Sequence, residues 1–515
     1  MKHILSRCGL LLAGLYCGTV QAQLTNPISA PYGLSYQVNV NASGQNIPGD
    51  AANEPSMCID PTNPNRMAVG WRQFDTTNSS FRQSGVAYTT NGGLNWTFPG
   101  NLDPGTFRSD PVLASDANGV FYYLGISNAN TFAEDLLRST NGGATWQSAG
   151  PALGGDKEWM AIDTTAGPGR GNIYQVWRPD INVYTNNPNF VFTRSVDGGA
   201  SWMTAIGLPH APLFGTLDVG PGGELYMFGT ANDIRPFVLN RSTNAQDRLA
   251  APAIDLTTII DLGGTPLFGN STVNPAGLLG QAWIAVDRSS GPTRGNVYVL
   301  CTVNNDPGNP CNVIFSRSTD RGQTWSSPVR INDDSATQNA YHWFGTLSVA
   351  PNGRVDACWN DTRNSANNSL SELYYSWSDD GGLTWAANRR LSPQFNHLLG
   401  FPQQNKMGDY IGMVSLNEYA CIAYTATFNG EQDVYFVRAE LPILAMIARV
   451  GNAARIMWNA VPGGSYCVQV KESLSIPWSS GTNVACVVSS ASTATVDDSG
   501  AGSGATRFYQ VVRQP

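Results

Sequence analysis

Short runs of apolar residues, each separated from the next by a polar turn, recur along most of this chain. Two segments show the pattern most clearly, WMAIDTTAGPGRGNIYQVW (159–177) and WIAVDRSSGPTRGNVYVLC (283–301). Each is an apolar run, a turn rich in glycine or proline, and a second apolar run, which predicts a β-hairpin. Weaker copies occupy residues 57–71, 111–124, 214–228, 344–359 and 411–424. The chain is therefore predicted to contain seven hairpins.

A second pattern, an octet that ends in tryptophan, follows most of these hairpins. Three of the four intervals between successive octets are 50, 56 and 60 residues, whereas the interval from Asp197 to Asp320 is 123 residues, or two periods. A degenerate octet that begins STNAQDR (242–248) lies in this gap. A hairpin, one more strand and an octet thus form a repeat of the size found in propellers and similar arrays. The five octets are TTNGGLNW (89–96), STNGGATW (139–146), SVDGGASW (195–202), STDRGQTW (318–325) and SDDGGLTW (378–385).

The two ends of the array are predicted to meet. The seventh unit ends in VYFVRAEL (434–441) without an octet, and the N-terminal segment LSYQVNV (34–40) has the pattern of a strand that can complete it. Such pairing removes exposed sheet edges, which otherwise promote aggregation.

Composition narrows the functional classes. The chain has 515 residues, of which only 13% are charged, and it carries a formal net charge of −8. An acidic, charge-poor protein of this kind is not expected to bind nucleic acid. Residues 1–22 have the basic start, apolar run and small-residue end of a signal peptide, and no later run is long enough to span a bilayer. We therefore predict a secreted or periplasmic protein without membrane insertion, and a monomer.

The cysteines fit an exported protein. No CxxC spacing occurs among the seven that follow the predicted leader, so disulfides or buried thiols are favoured over metal ligands. Cys301 and Cys311 flank a loop that a disulfide could close, and Cys467 and Cys486 lie together in the C-terminal segment. We predict these two disulfides. Buried free thiols are predicted at Cys58, Cys358 and Cys421.

The octets resemble Asp-boxes, the S-x-D-x-G-x-x-W repeats of sialidases and other Asp-box β-propellers. The resemblance covers residues 35–441 and implies an all-β fold, a seven-bladed (alternatively six-bladed) sialidase-like β-propeller. It further implies that each octet is the turn between the third and fourth strands of a blade, on the face away from the substrate, so that Asp379 and Asp380 are structural. The early Phe-Arg-Ile-Pro motif of sialidases is absent, and sialidases resemble six-bladed propellers.

The C-terminal segment, residues 446–515, is predicted to be a separate small β-sandwich. Its alternating apolar pattern resembles that of a fibronectin type III-like appendage.

Propeller geometry places residues that precede a first strand, or follow a second strand, around a central funnel. Glu158 and Asp110 are the carboxylates predicted to act as acid and base in glycoside hydrolysis, although sequence cannot supply the distance between them. The wider set of polar residues expected at this face is Glu54, Arg72, Arg108, Asp110, Asp156, Lys157, Glu158, Arg178, His210, His342, Asp361, Arg363, Lys406, Asp409 and Tyr410.

Four arginines of this set are predicted to clamp a carboxylate or sulfate of the substrate, because the guanidinium fork matches planar oxyanions. The alternative is that each arginine pairs with a local aspartate, as NDTR (360–363) suggests for Asp361 and Arg363. The four are Arg72, Arg108, Arg178 and Arg363.

His342 and Tyr410 offer a second chemistry, abstraction of the proton next to a uronate carboxylate. The alternative is that the histidines cap strand ends. Trp177 and Trp343 are predicted to stack on sugar rings, and packing between blades explains them equally well. No cofactor and no metal site are predicted; a structural calcium ion is compatible with the sequence but is not indicated by it.

Three functions follow from these features. The leading hypothesis is a sialidase-like glycoside hydrolase, similar to exo-α-sialidases, that acts on an acidic or complex glycan, with a polysaccharide or glycoconjugate as its partner. The first alternative is a polysaccharide lyase acting on a uronate polymer. The second is a non-catalytic propeller that binds a glycan or a protein.

Overall fold

The computed structural model describes residues 27–513 except 185, 188, 234–236, 270, 305–308, 337, 444, 461–464, 474, 476, 491–492 and 504–505. The predicted leader, residues 1–22, lies outside the described residues. Within them the chain forms β-strands and two short 3-10 turns, Trp478–Ser480 and Ser499–Ser503, and contains no α-helix. Consistent with this, no helix in the described part of the chain is long and apolar enough to cross a membrane.

The strands follow the predicted repeat. The first two are Ile28–Ser29 (β1) and Leu34–Gln37 (β2). Sheet 1 consists of Ala51–Ile59 (β3), Met67–Phe74 (β4), Gln83–Thr89 (β5) and Asn101–Leu102 (β6). Sheet 2 consists of Ser109–Ser115 (β7), Phe121–Ile126 (β8), Glu134–Ser139 (β9) and Gln147–Leu153 (β10). Sheet 3 consists of Trp159–Ile162 (β11), Ile173–Val176 (β12), Phe190–Ser195 (β13) and Ile206–Gly207 (β14).

The next three sheets repeat this plan. Sheet 4 consists of Leu213–Val219 (β15), Leu225–Thr230 (β16), Phe237–Ser242 (β17) and Leu256–Ile260 (β18). Sheet 5 consists of Trp283–Val286 (β19), Val297–Val303 (β20), Asn312–Ser318 (β21) and Val329–Arg330 (β22). Sheet 6 consists of His342–Val349 (β23), Val355–Asp361 (β24), Glu372–Ser378 (β25) and Arg389–Arg390 (β26). The first two strands of each sheet form one of the predicted hairpins.

Sheet 7 joins the two ends of the array. Its C-terminal strands are Gly412–Ser415 (β27), Tyr419–Ala426 (β28) and Asp433–Glu440 (β29), and β2 pairs antiparallel with β29, Ser35 opposite Val437. The strand predicted at the N-terminus therefore does complete the last repeat. Strand β1 adds to the outer edge of β2.

The innermost strands lie side by side around a common centre. Each of the strands β3, β7, β11, β15, β19 and β23 contacts the innermost strand of the next sheet, and β27 contacts β3. Both faces of these strands are covered by neighbouring sheets, which is why every residue of β3 is buried, including the polar Asn53, Glu54 and Ser56. The architecture is all-β and propeller-like.

The octets form the turns that follow the third strands. In SDDGGLTW, Oδ1 of Asp380 accepts hydrogen bonds from Ser378 Oγ and from the backbone N–H of Thr384, while Gly382 lies at a φ of +82°. Hydrogen bonds from Thr384 and Ser378 outweigh the effect of burial and lower the pKa of Asp380 to about 2. Asp320 and Asp197 accept the equivalent bonds in their own octets. The predicted turns are thus present, and in these octets the aspartate and the serine before it both accept backbone N–H groups of the turn.

The C-terminal residues form two three-stranded antiparallel sheets. One contains Ala445–Val450 (β30), Ala453–Asn459 (β31) and Thr493–Asp498 (β34). The other contains Ser465–Lys471 (β32), Thr482–Val488 (β33) and Phe508–Arg513 (β35). Among the described strands these six pair only with one another. Their identity as a fibronectin type III-like domain stays a prediction.

One of the two predicted disulfides is present. Cys467 and Cys486 are directly opposite each other in β32 and β33 and form a disulfide. The prediction of a Cys301–Cys311 disulfide is wrong, because both residues are buried free thiols. Their sulfurs donate to different backbone carbonyls, that of Thr302 for Cys301 and that of His342 for Cys311. Cys58, Cys358 and Cys421 are buried thiols, as predicted.

Candidate functional site

The direction of the strands places the predicted site residues and the octets on opposite faces of the array. Each innermost strand begins at the face that we call the upper face, and the third strand, which runs in the same direction, ends at the octet turn on the opposite, lower face. Glu54, Asp110 and Lys157, at or just before the starts of β3, β7 and β11, therefore lie on the upper side.

A β-bulge near the start of the innermost strand recurs in several sheets. The register shifts between Asn53 and Ser56 in sheet 1 and between Ser109 and Val112 in sheet 2. The two bulges turn the side chains of Glu54 and Asp110 toward the centre. These are the first residues of the bulges, and both have positive φ, +59° at Glu54 and +50° at Asp110. Left-handed backbone at a non-glycine residue is strained, and such strain is concentrated at functional sites. Sheets 4 and 6 repeat the bulge at residues 214–215 and 344–345.

Side chains from the segments that begin four different sheets meet in a buried network of ion pairs. The ammonium nitrogen of Lys157 lies 2.6 Å from Asp110 Oδ2, 2.5 Å from Asp409 Oδ2 and 3.9 Å from Glu54 Oε1. Two further ion pairs join this group, Arg72 to Glu54 at 2.5 Å and Lys406 to Asp409 at 2.6 Å. We call these six residues the central cluster. It consists of Glu54, Arg72, Asp110, Lys157, Lys406 and Asp409.

The central cluster lowers the pKa of two of its carboxylates, Asp110 and Asp409, whereas burial outweighs Arg72 and raises the pKa of the third, Glu54, to about 7. Burial alone favours the neutral form, but Lys157 and Arg72 outweigh it and hold the pKa of Asp110 well below its usual value. Lys157 and Lys406 do the same for Asp409. Asp409 Oδ1 also accepts the backbone N–H of Leu278, which ties the cluster to the long loop before sheet 5.

Aromatic side chains pack beneath the cluster. Trp159 makes edge contacts with Trp283 and Tyr410, with ring centroids 5.0 and 5.2 Å apart. The hydroxyl of Tyr410 donates to the carbonyl of Pro111, and burial raises the pKa of this tyrosine well above its ordinary value. Tyr410 is therefore neutral and already hydrogen-bonded.

Glu158 and Glu134 form a second, neutral group beside the cluster. Glu158 is 1% exposed, and neither carboxyl oxygen has a hydrogen-bond partner among the described residues. Burial and the proximity of Glu134 raise its pKa well above the ordinary value. Glu134 accepts hydrogen bonds from Gly155 N and Gln175 Nε2, and burial raises its pKa in the same way. The pKa values of Glu158 and Asp110 are thus shifted in opposite directions.

A small pocket of about 10 Å³ opens on the upper face next to Lys157; we call it the upper-face pocket. Phe214 lies in its wall and stacks on Phe268, with centroids 5.9 Å apart and planes 16° apart, and Phe268 is 60% exposed. The guanidinium of Arg178 lies 5.2 Å from the centre of the Phe214 ring. The lining is Lys157, Val176, Trp177, Pro212, Phe214, Gly215, Met227 and Phe228.

The four arginines predicted to clamp an anion each pair with carboxylates of their own. Arg178 binds Asp180 at 2.5 Å and Asp156 at 3.1 Å, and Arg72 binds Glu54. Arg108 pairs with Asp103 and Asp135, and Arg363 with Asp333 and Asp361. The structure therefore favours the alternative of local pairs and leaves only Arg178 beside an open pocket.

His342 and Tyr410 contact different residues. Its Nε2 is 3.0 Å from Asp334, its Nδ1 donates to the carbonyl of Cys311, and the ring is fully buried. Burial lowers the pKa, but Asp361 and Asp334 outweigh this effect and raise it. A buried histidine between carboxylates holds its proton, which suits a structural ion pair better than a general base.

The two tryptophans predicted to stack on sugars are buried. Trp343 packs on Phe344, and its indole nitrogen donates to Ser371 Oγ. Trp177 stacks on Tyr184 and borders the upper-face pocket with 1% of its surface exposed. The exposed aromatic ring at this pocket is Phe268, for which the sequence offered no signal.

A cavity of about 130 Å³ lies toward the lower end of the central channel. Its lining includes Trp159, Trp283 and the ion pair between Asp218 and Arg288. Because it holds no second carboxylate, we place the candidate site at the upper face.

Comparisons with known proteins give distant similarities. No family model matches the chain. A xyloglucanase from a Paenibacillus species is 26% identical over 333 residues, 58% of this chain, and the matched part spans only 28% of that enzyme. A protein of unknown function from Dyadobacter fermentans DSM 18053 superposes with a TM-score of 0.45 at 13% identity, covering 80% of this chain and 100% of its own. The phage phi92 endosialidase superposes with a TM-score of 0.41 at 10% identity, covering 81% and 70%. At TM-scores below 0.5 these two likenesses carry no argument.

Proposed function

We propose that this protein is a secreted, carbohydrate-active β-propeller of the Asp-box kind that hydrolyses an acidic or complex glycan bound at the upper-face pocket. The seven sheets are its blades, residues 1–22 its signal peptide, and residues 446–515 a small β-sandwich. The ring of contacts between innermost strands and the pairing of β2 with β29 support the closed, seven-bladed arrangement.

The upper-face pocket is the observation that carries the proposal. It brings an exposed aromatic surface, Phe268 on Phe214, together with two cations, Lys157 and Arg178. Sugar rings present apolar C–H faces to aromatic rings, and an acidic glycan adds a carboxylate or sulfate that a guanidinium binds. The similarity to a xyloglucanase supports a polysaccharide as the ligand.

Hydrolysis is supported by the two neighbouring carboxyl groups with opposite pKa shifts. Glu158 is held neutral and is the proposed proton donor to the leaving oxygen, and Asp110 is held ionised and is the proposed partner carboxylate. Such a separation of protonation states assigns acid and base roles in glycosidases. Asp110 is paired with Lys157, so the substrate must displace this side chain to reach that carboxylate.

Non-catalytic glycan binding is the second candidate, and the burial of the central cluster favours it. Glu54, Asp110 and Asp409 are each at most 2% exposed and are paired with cations. In this alternative the central cluster only stabilises the fold, and the glycan binds on the aromatic surface above it. Elimination by His342 and Tyr410 receives less support, since the two residues have separate partners.

The test is a panel of neutral, sulfated and uronate-containing polysaccharides incubated with the mature chain. New reducing ends without unsaturated uronates support hydrolysis, unsaturated uronates indicate elimination, and retention on immobilised glycan without products indicates binding only. Phe268→Ala should weaken retention on the order of 2- to 10-fold, the range expected for one aromatic contact. Glu158→Gln should remove products and keep retention.

Arg178→Lys tests recognition of the anion, because lysine keeps the charge and loses the fork. Arg241→Lys is the matched control, since Arg241 also donates two guanidinium hydrogen bonds to an aspartate, both to Oδ2 of Asp255, but lies toward the lower face. Weaker binding in the first variant and unchanged binding in the second support the pocket. Equal binding in both, with no product from any glycan, contradicts the proposed function.

A further inference from the structure

A second group of carboxylates lies where the first and last sheets meet. Asp50 precedes β3 of sheet 1, whereas Asp433 begins β29 in sheet 7 and Glu431 lies in the turn just before it. One carboxylate oxygen from each lies within 4.8 Å of the others. Asp50 and Asp433 are buried, and Glu431 is half-buried at the rim. We call these three residues the closure site.

Neutral donors orient the closure site. Asn39 Nδ2 donates to Asp433 Oδ1 at 2.8 Å, and Gln73 Nε2 donates to Asp50 Oδ2 at 2.8 Å. Glu431 accepts the backbone N–H of Gly49 at 2.6 Å. In the described part of the chain, no lysine, arginine or histidine forms an ion pair with the three carboxylates. Three acidic side chains are thus held together without a cation beside them, an arrangement that is costly in a buried place whenever the groups are ionised.

One oxygen of the closure site has no partner. Oδ1 of Asp50 is buried and accepts no hydrogen bond from any described residue, and Asp50 as a whole is 4% exposed. Buried polar atoms are almost always satisfied, so an orphaned carboxylate oxygen points to a ligand at this position.

The central cluster provides an internal comparison. Glu54, Asp110 and Asp409 also have oxygens within 4.8 Å of one another. There, however, the ammonium of Lys157 lies among them and supplies the positive charge. The same arrangement of three carboxylates therefore occurs twice in this protein, once with a built-in cation and once without one.

We propose that the closure site binds a calcium ion through Asp50, Glu431 and Asp433. Carboxylate oxygens are the ligands that Ca²⁺ prefers, at about 2.3 to 2.6 Å, so that oxygens on opposite sides of one ion lie roughly 5 Å apart. The spacing at the closure site fits within that limit. Mg²⁺ requires shorter bonds and a stricter octahedron, which suits this group less well.

A calcium ion here would fasten the ring at its closure. The segment between β2 and β3 carries Asn39 and Asp50, and the turn between β28 and β29 carries Glu431. The ion would join parts of the chain that are about as far apart in sequence as the array allows. Its expected effect is on stability rather than on glycan cleavage, so the proposal does not depend on the proposed function.

The test uses the full mature chain, stripped with EGTA and then titrated with CaCl₂ by calorimetry and by thermal unfolding. We expect one ion per chain, a Tm that rises with Ca²⁺, and little response to Mg²⁺ at the same concentration. Asp50→Asn should abolish the Ca²⁺-dependent rise. Without a bound ion the same change would remove a buried like charge and raise Tm, so the sign of its effect in calcium distinguishes the two cases.

Glu431→Gln is the second variant, at the less buried rim, in case Asp50→Asn does not fold. It should weaken Ca²⁺ binding more than about 10-fold, since loss of even an outer partner of a metal site costs 10- to 100-fold. Asp380→Asn, an aspartate bonded within its octet, is the control and should respond to Ca²⁺ as the unmodified chain does. Absence of Ca²⁺ binding, or binding that both closure-site variants retain, overturns the proposal.

Discussion

The ammonium nitrogen of Lys157 lies 2.6 Å from Oδ2 of Asp110, although the two residues are 47 positions apart and belong to different sheets. The same nitrogen also contacts Asp409, which is 252 positions away. One lysine therefore joins three parts of the array through a buried charge.

Lys157→Met is expected to destabilise the protein severely. Methionine fills a similar volume but leaves Asp110 and Asp409 buried without the cation between them, and loss of one partner of a buried ion pair costs about 3 to 5 kcal/mol. Urea unfolding followed by tryptophan fluorescence measures the free energy of unfolding. Lys157→Arg, which keeps the charge, should recover part of the loss. A Lys157→Met protein as stable as the unmodified chain would show that the ion pairs contribute nothing.

The octet aspartates are expected to support stability and not chemistry. Asp380→Ala removes the acceptor of the Thr384 and Ser378 hydrogen bonds and should lower the free energy of unfolding on the order of 1 to 3 kcal/mol. Turnover or glycan binding per folded molecule should not change. Glu158→Gln should do the reverse, because a neutral amide replaces a carboxyl group that burial already keeps neutral. Loss of activity in a normally stable Asp380→Ala protein would move the site to the lower face.

The Cys467–Cys486 disulfide is expected to stabilise the C-terminal sheets. It links two residues that are 19 positions apart in the sequence. Closing a loop of this length reduces the chain entropy of the unfolded state, which corresponds to about 3 kcal/mol of stability. A reductant should therefore increase protease cleavage after residue 445 in the unmodified chain. The double variant Cys467→Ser/Cys486→Ser should be cleaved equally with and without reductant. Identical cleavage of the oxidised and reduced unmodified chain would contradict this account.

The buried imidazole of His397 is expected to make the protein acid-sensitive. Burial lowers its pKa to about 4, from an ordinary value near 6.5. Between these two pH values the unfolded chain binds a proton that the folded chain excludes, so the free energy of unfolding falls as the pH is lowered. His397→Gln should flatten this decrease, which is on the order of 3 kcal/mol. Urea unfolding at several pH values between 7 and 4 measures it.

His342 provides the comparison of opposite sign. Its pKa is raised, because Asp361 and Asp334 outweigh burial, so its contribution to stability is complete below the unfolded pKa and is lost as the pH rises through the folded value. His342→Gln should therefore cost most stability below a pH of about 6.5, where the loss is constant, and progressively less as the pH rises above that value, so the decrease that His397→Gln flattens should keep its slope in this variant. Parallel pH profiles for the two variants would refute both assignments.

The sequence by itself determined the repeat. Hairpins, octet turns and the N-terminal strand that completes sheet 7 could all be predicted, because strand alternation and turn chemistry depend on residues a few positions apart. The degenerate octet at 242–248 even located the fourth repeat, which has no tryptophan at its turn. The same local signal marked the upper face, since it fixed where each innermost strand begins.

Only the tertiary structure decided which polar residues meet. Lys157, Asp110 and Asp409 lie in three different repeats. Asp50 and Asp433 likewise belong to different repeats, although their carboxylate oxygens lie close together. Neither grouping leaves a local pattern. The thiols of Cys301 and Cys311 were placed wrongly for a related reason: proximity in sequence does not fix the direction of a side chain, and the pleat turns these two sulfurs toward different carbonyls.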